Sequence, residues 1–145
     1  MTDHADILAV IDRHTAATRA KDPDRALADF APDLTSYTLA PPLGNEGLSP
    51  EALADWYATW RGPLGYETRD LRVRVSGDLA LAWGWLHIHG TKLDGGKVST
   101  WSRLTLALRR DPAGWRVFHE HNSVPFYMDG SLRAAVDLLP PGETE

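Results

Sequence analysis

Residues 97–124 read Lys97-Val98-Ser99-Thr100-Trp101-Ser102-Arg103-Leu104-Thr105-Leu106-Ala107-Leu108-Arg109-Arg110, then Asp111-Pro112-Ala113-Gly114, then Trp115-Arg116-Val117-Phe118-His119-Glu120-His121-Asn122-Ser123-Val124. Apolar and polar residues alternate on both sides of a Pro/Gly turn signal, as in two half-buried strands joined back to back. Upstream, residues 79–93 and 66–75 carry the same signature. They are divided by Ser76-Gly77-Asp78 and closed by Asp94-Gly95-Gly96, both strong turn signals. An antiparallel meander of long strands therefore fills the second half of the chain.

The first half reads as helices. Thr2 or Asp3 can cap a helix whose stripe, Ile7, Ile11, His14 and Thr18, follows helical spacing and puts His14 on the buried side. Asp22 and Pro23 open a second helix with Ala26, Leu27 and Phe30 inward, ended by Pro32. A short strand, 34–39, stops at Pro41-Pro42, because proline has no N–H to give a sheet. Ser49-Pro50-Glu51 then starts a third helix carrying Leu53, Trp56, Tyr57 and Trp60, with Gly62-Pro63 at its end. A last weak helix is expected over 131–139, and residues 140–145 read as a flexible tail. Helices followed by a strand meander give an α+β fold with the helices on one face of the sheet.

At 145 residues the chain is expected to form one domain spanning 1–145. A hydrophobic fraction of 43% and a charged fraction of 24% are those of an ordinary folded protein. The net charge of −5 and the scattered arginines weigh against nucleic acid, which needs a dense basic face. With no cysteine, thiolate chemistry and disulfides are excluded. No stretch approaches the ~20 apolar residues of a membrane span and the N-terminus lacks a basic-then-apolar leader, so no membrane partner and a cytoplasmic location are expected.

Several segments, taken in order, resemble the SnoaL-like and ketosteroid isomerase-like branch of the nuclear transport factor 2 superfamily. They are Ile11-Asp12-Arg13-His14-Thr15-Ala16-Ala17, Lys21-Asp22-Pro23-Asp24, Phe30-Ala31-Pro32-Asp33, Pro41-Pro42-Leu43, Trp101-Ser102-Arg103-Leu104-Thr105 and residues 115–125. The resemblance implies a strongly curved, mixed but mostly antiparallel sheet wrapped around N-terminal helices. It also implies a cone-shaped pocket for a small organic molecule and a homodimer formed through the convex face. Ketosteroid isomerases place a tyrosine and two aspartates where this chain has His14, Thr38 and Thr105, so their usual mechanism is not expected here. The scaffold hosts isomerases, cyclases, dehydratases, hydrolases and plain binding modules, so the chemistry must come from the site.

If the turn at Gly95-Gly96 is a two-residue hairpin, Leu86 faces Thr105 and Ile88 faces Arg103 across the strands. One face then carries Leu86, Ile88, Trp101, Arg103 and Thr105. The other carries Trp83, Trp85, His87, His89, Leu104, Leu106 and Leu108. Family geometry assigns the first to the pocket and the second, led by Trp83, Trp85, Leu104 and Leu106, to the dimer interface. On the final strand it places Phe118, Glu120 and Asn122 inside; a one-residue slip would place His119 and His121 there instead.

On this reading His14, Arg103 and Glu120 are the catalytic candidates, and Thr38, Tyr57, Leu86, Ile88, Trp101, Thr105, Phe118 and Asn122 line the pocket. His14 or Glu120 would move protons, Arg103 would stabilise charge, and Asn122 with Thr105 would orient the ligand. Each has a plainer reading: Arg103 and Glu120 as a structural ion pair, His14 as a bonded core residue, Trp56 and Trp60 as packing. The pairs His87/His89 and His119/His121 stand two strand spacings apart, roughly twice ~4.8 Å, too far to share an ion bound at ~2.1 Å. No metal and no cofactor are expected. The function expected is cofactor-free acid–base catalysis on a small hydrophobic or aromatic carbonyl or hydroxyl compound; the alternative is a non-catalytic ligand-binding or scaffold dimer.

Overall fold

In the computed structural model, which describes residues 2–143, the chain enters a capped helix. The Thr2 hydroxyl accepts the Ala5 N–H at 3.2 Å, and Asp3 and Asp6 place negative charge in the first turn of α1 (Asp3–Arg19). Ile7, Val10, Ile11 and Ala17 are buried along one stripe, and the neighbouring His14 and Thr18 are carried to the same side. α2 (Pro23–Ala26) is a single turn capped by Asp22. It is shorter than the sequence suggests: Phe30 opens a strand, β1 (Phe30–Tyr37), and Pro32 lies within it. Pairing between β1 and its neighbour is irregular from Phe30 to Thr35, so the missing proline N–H breaks no regular ladder.

After a two-residue strand, β2 (Asn45–Glu46), the Ser49 hydroxyl caps α3 (Pro50–Tyr57). Gly62-Pro63 does not end this helix. β3 (Trp60–Ser76) already runs through it, with a register shift between Arg61 and Leu64 that absorbs the proline. β4 (Leu79–Lys92), β5 (Lys97–Asp111) and β6 (Gly114–Ser123) complete an open sheet of order β2-β1-β6-β5-β4-β3. β1 and β6 are parallel and every other pair is antiparallel. Shifts at Arg61/Leu64, Arg69/Arg72 and Ala107/Leu108 act as bulges that bend the sheet around α1, which packs on β3 and β6.

The β4–β5 register departs from the two-residue hairpin. Thr91 pairs with Lys97, residues 93–96 connect the two strands, and Lys92 N–H donates to the Gly96 carbonyl at 2.8 Å. Leu86 therefore faces Ser102, not Thr105, and Ile88 faces Thr100, not Arg103. A three-residue shift is odd, so it turns β5 over relative to β4. Leu104, Leu106 and Leu108 are buried in the concave core with Leu86, Ile7 and Ile11. Trp101, Arg103 and Thr105 go to the outer face with Trp83, Trp85, His87 and His89. The expected outer patch of Trp83, Trp85, Leu104 and Leu106 is thus split, with only its tryptophans outside.

The expected helix at 131–139 is absent. Leu132 has φ 55°, a left-handed conformation that interrupts a helical run, and the segment instead makes a bridge between Phe126 and Ala134. Ala135 and Pro140 are buried, and Glu143 pairs with Arg69 of β3 at 2.9 Å, so residues 140–143 are anchored on the sheet. Thr144 and Glu145, the end of the expected tail, lie outside the described residues. No described helix is long and apolar enough to cross a membrane.

Candidate active site

Between α1, α3, the β1–β2 loop and the concave face of the sheet lies a cavity of about 600 Å³. Alternation along the strands decides its walls. β6 contributes Glu120 and Asn122, β4 Ile88, β5 Val98 and Thr100, β3 Tyr66, β1 Ser36, and the segment just past β1 Thr38. From the helical side come His14 and Thr18 of α1, with Leu53 and Trp56 of α3. The mouth is edged by the loop from Leu39 to Pro42. The lining is mainly apolar, so each polar group in it is conspicuous.

Glu120 reaches the inner face because β6 carries a bulge. Leu108 pairs with Val117 and Ala107 with His119, leaving Phe118 as the extra residue. Beyond the bulge, Glu120 faces Leu106 and Asn122 faces Leu104, both buried. The carboxyl lines the cavity and is only partly exposed. Desolvation pushes its pKa up to about 7, and no cation or N–H among the described residues offsets it. Two residues along the same face, Asn122 Nδ2 is buried without a hydrogen-bond partner among the described residues.

His14 Nδ1 lies 2.7 Å from the Ala26 carbonyl. A carbonyl only accepts, so the proton sits on Nδ1 and Nε2 is left as an acceptor on a ring that lines the cavity. Burial holds the imidazole below its ordinary pKa and outweighs that bond, so it is neutral at pH 7. The ring packs on Phe30 at 4.7 Å and meets Tyr66 edge-on at 5.8 Å. Burial, with Glu120 nearby, raises the Tyr66 hydroxyl above its ordinary value and keeps it protonated.

Of the residues expected in the pocket from sequence, the cavity gathers His14, Thr38, Ile88, Glu120 and Asn122. Leu86 faces the same side but is buried in the core beneath it. Tyr57 is buried behind the wall, its hydroxyl donating to Thr18 Oγ1 at 3.3 Å. Arg103 is exposed on the outer face and bonds Ser123 Oγ at 3.1 Å. It neither clamps a ligand in the cavity nor pairs with Glu120. Trp101 is stacked on His87 on that same outer face, and Thr105 is exposed there. Phe118, displaced by the bulge, packs under the Arg109 guanidinium at 5.6 Å. In the alternative register His119 and His121 would point inward; they stand edge-on to Tyr37 instead, outside the cavity.

Tyr66, Thr100, Ser36 and Lys92 also line the cavity and were not singled out from sequence. Tyr66 pairs with Ile88 and Ile88 with Thr100, so the correct register alone would have found two of them. Trp56 and Trp60, read as packing, line the cavity as well as each other.

The family model described as the SnoaL-like domain matches residues 7–127. Among solved structures, a nuclear transport factor 2-like protein of unknown function from Pseudomonas putida KT2440 is 29% identical, with a TM-score of 0.81 over 97% of this chain and 99% of its own. A nuclear transport factor 2-like superfamily protein from Salmonella enterica serovar Typhimurium is 20% identical, with a TM-score of 0.75 over 89% and 95%. A protein from Streptomyces avermitilis, described as a candidate dehydratase of the same superfamily, is 18% identical, with a TM-score of 0.73 over 83% and 95%. The latter two likenesses concern the fold. No curated protein matches the sequence.

Proposed function

We propose, for a chain that belongs to the family of SnoaL-like domains, that the cavity binds a small, largely apolar organic molecule bearing a carbonyl or hydroxyl group and that Glu120 moves a proton on it. The observation that carries this reading is the Glu120 carboxyl, set in a mainly apolar wall with no neutralising partner among the described residues and a pKa pushed up to about 7. Such a group is present as acid and as base in similar amounts near neutral pH, the condition under which general acid–base catalysis is most effective.

The neighbouring groups fit complementary roles. Asn122 Nδ2, buried and without a protein acceptor among the described residues, supplies an N–H for a ligand oxygen on which negative charge develops. His14 Nε2 accepts a hydrogen bond from a ligand hydroxyl. Isomerisation, cyclisation and elimination of water all use these parts. We further propose that the outer face carrying Trp83 and Trp85 meets a second copy, which light scattering would report as twice 16.0 kDa.

The test uses 5-nitrobenzisoxazole, a flat apolar probe whose C3–H is removed by a base as its N–O bond opens to a coloured cyanophenolate. The expected result is turnover that rises with pH through about 7 and falls by roughly a hundredfold or more in Glu120→Gln. Equal rates for the two proteins would overturn the catalytic role. Binding of the probe by calorimetry without Glu120-dependent turnover would favour the non-catalytic binding module.

A further inference from the structure

On the outer face of the sheet, behind the cavity wall, three donor side chains converge across the β3–β4 hairpin. Glu67 pairs directly with His87, and His89 lies two residues further along β4 on the same face. Glu67 Oε2 is 2.9 Å from His89 Nε2 and 4.0 Å from His87 Nδ1, and a set of donor atoms from the three residues lies within 4.8 Å of one another. Ligands held tetrahedrally at ~2.1 Å from an ion stand about 3.4 Å apart. The separations bracket that value, and the donors are at least partly exposed, so small side-chain rotations bring them to it.

The surroundings hold these groups in place. His87 Nε2 lies 2.8 Å from Ser99 Oγ, which can take its N–H and leave Nδ1 turned toward Glu67. The His87 ring is stacked on Trp101 at 4.3 Å and 5°. His89 lies over Gly65, where an added Cβ would stand 2.0 Å from Nε2, so a glycine at this position makes room for the imidazole. Burial first, and then His89, holds His87 below its ordinary pKa, in the neutral form a metal requires. Arg69, over Trp101 at 4.7 Å, is paired with Glu143 at 2.9 Å.

We propose that Glu67, His87 and His89 bind one borderline divalent metal ion, with zinc the species this donor set suits and solvent completing the coordination. The other His-x-His pair is differently engaged: His119 Nδ1 is taken up by the Thr35 carbonyl at 2.8 Å. Comparing the two histidine pairs with each other hides the site, because its third donor comes from the opposite hairpin strand. The site is independent of the cavity chemistry, since its donors face away from it.

The test is calorimetric titration of the chelator-treated full chain with Zn²⁺ alone at about pH 7.5. One ion per chain is expected. Glu67→Gln, His87→Ala and His89→Ala should each abolish saturable binding, while Ser99→Ala and Gly65→Ala weaken it by about ten- to a hundredfold. The double variant H119A/H121A should bind as the parent does. Cu²⁺ in the same protein should show two nitrogen couplings by electron paramagnetic resonance, a signal lost in His87→Ala. Absence of saturable binding, or binding lost in H119A/H121A and kept in His87→Ala, would overturn the proposal. Circular dichroism of each variant, the buried Gly65→Ala included, verifies that the fold is intact.

Discussion

Replacing Glu120 with glutamine removes a pH-dependent cost from the folded state. In the unfolded chain the carboxyl titrates near 4.5, whereas in the cavity wall burial pushes it up to about 7. Between those values the folded state binds the proton more tightly than the unfolded one, so stability falls as pH rises and levels off once both states are ionised. Each pKa unit is worth about 1.4 kcal/mol, which makes the full penalty on the order of 3 kcal/mol above pH 8 and under about 1 kcal/mol at pH 5. His14 acts with the opposite sign. Its folded pKa lies below the ordinary 6.5, so it destabilises the fold as pH drops through that value. Because both proteins retain His14, the difference between them isolates Glu120. Urea unfolding of the parent and of Glu120→Gln from pH 5 to about pH 8.5 should show the variant gaining stability steadily and ending about 3 kcal/mol ahead. A difference independent of pH, or one complete by about pH 5.5, would mean that the carboxyl titrates like a solvated one.

Arg103→Ala should leave the cavity reaction unchanged and alter stability by no more than about 0.5 kcal/mol, because the side chain is exposed and, among the described residues, bonds only Ser123; rate assays and thermal melts check both. His14→Phe should keep the ring's packing on Phe30 but leave the Ala26 carbonyl unpaired, costing about 1–3 kcal/mol by urea unfolding while the pH midpoint of turnover stays where Glu120 sets it. Thr100→Trp should fill the cavity and abolish probe binding by calorimetry with the fold retained, since Thr100 faces open space beside Ile88. Leu108→Ala, at a fully buried position remote from the ligand, should cost about 2–5 kcal/mol and leave the pH profile of the remaining folded protein untouched.

Much of the molecule follows from local patterns. Helical spacing in the first segment fixes which side of α1 carries His14, because 3.6 residues per turn relates Ile7, Ile11 and His14 without reference to anything else. Period-two alternation likewise fixes that Glu120 and Asn122 share a face, as do His87 and His89. What alternation cannot supply is the phase between strands, which depends on how many residues each connection consumes. Five residues between Thr91 and Lys97, instead of the two expected between Asp94 and Lys97, send Arg103 outward and Leu104 inward. One bulge at Phe118 then brings Glu120 back into the cavity. Both are set by three-dimensional packing: buried leucines claim the concave side of β5, and the backbone adjusts its register to let them. The same dependence hides the meeting of Glu67 with His87 and His89, residues about twenty positions apart that only a paired hairpin makes neighbours. The raised pKa of Glu120 also belongs to the folded molecule alone, because a carboxyl's affinity for its proton is set by the water and charges around it, and those are in place only once the cone has closed.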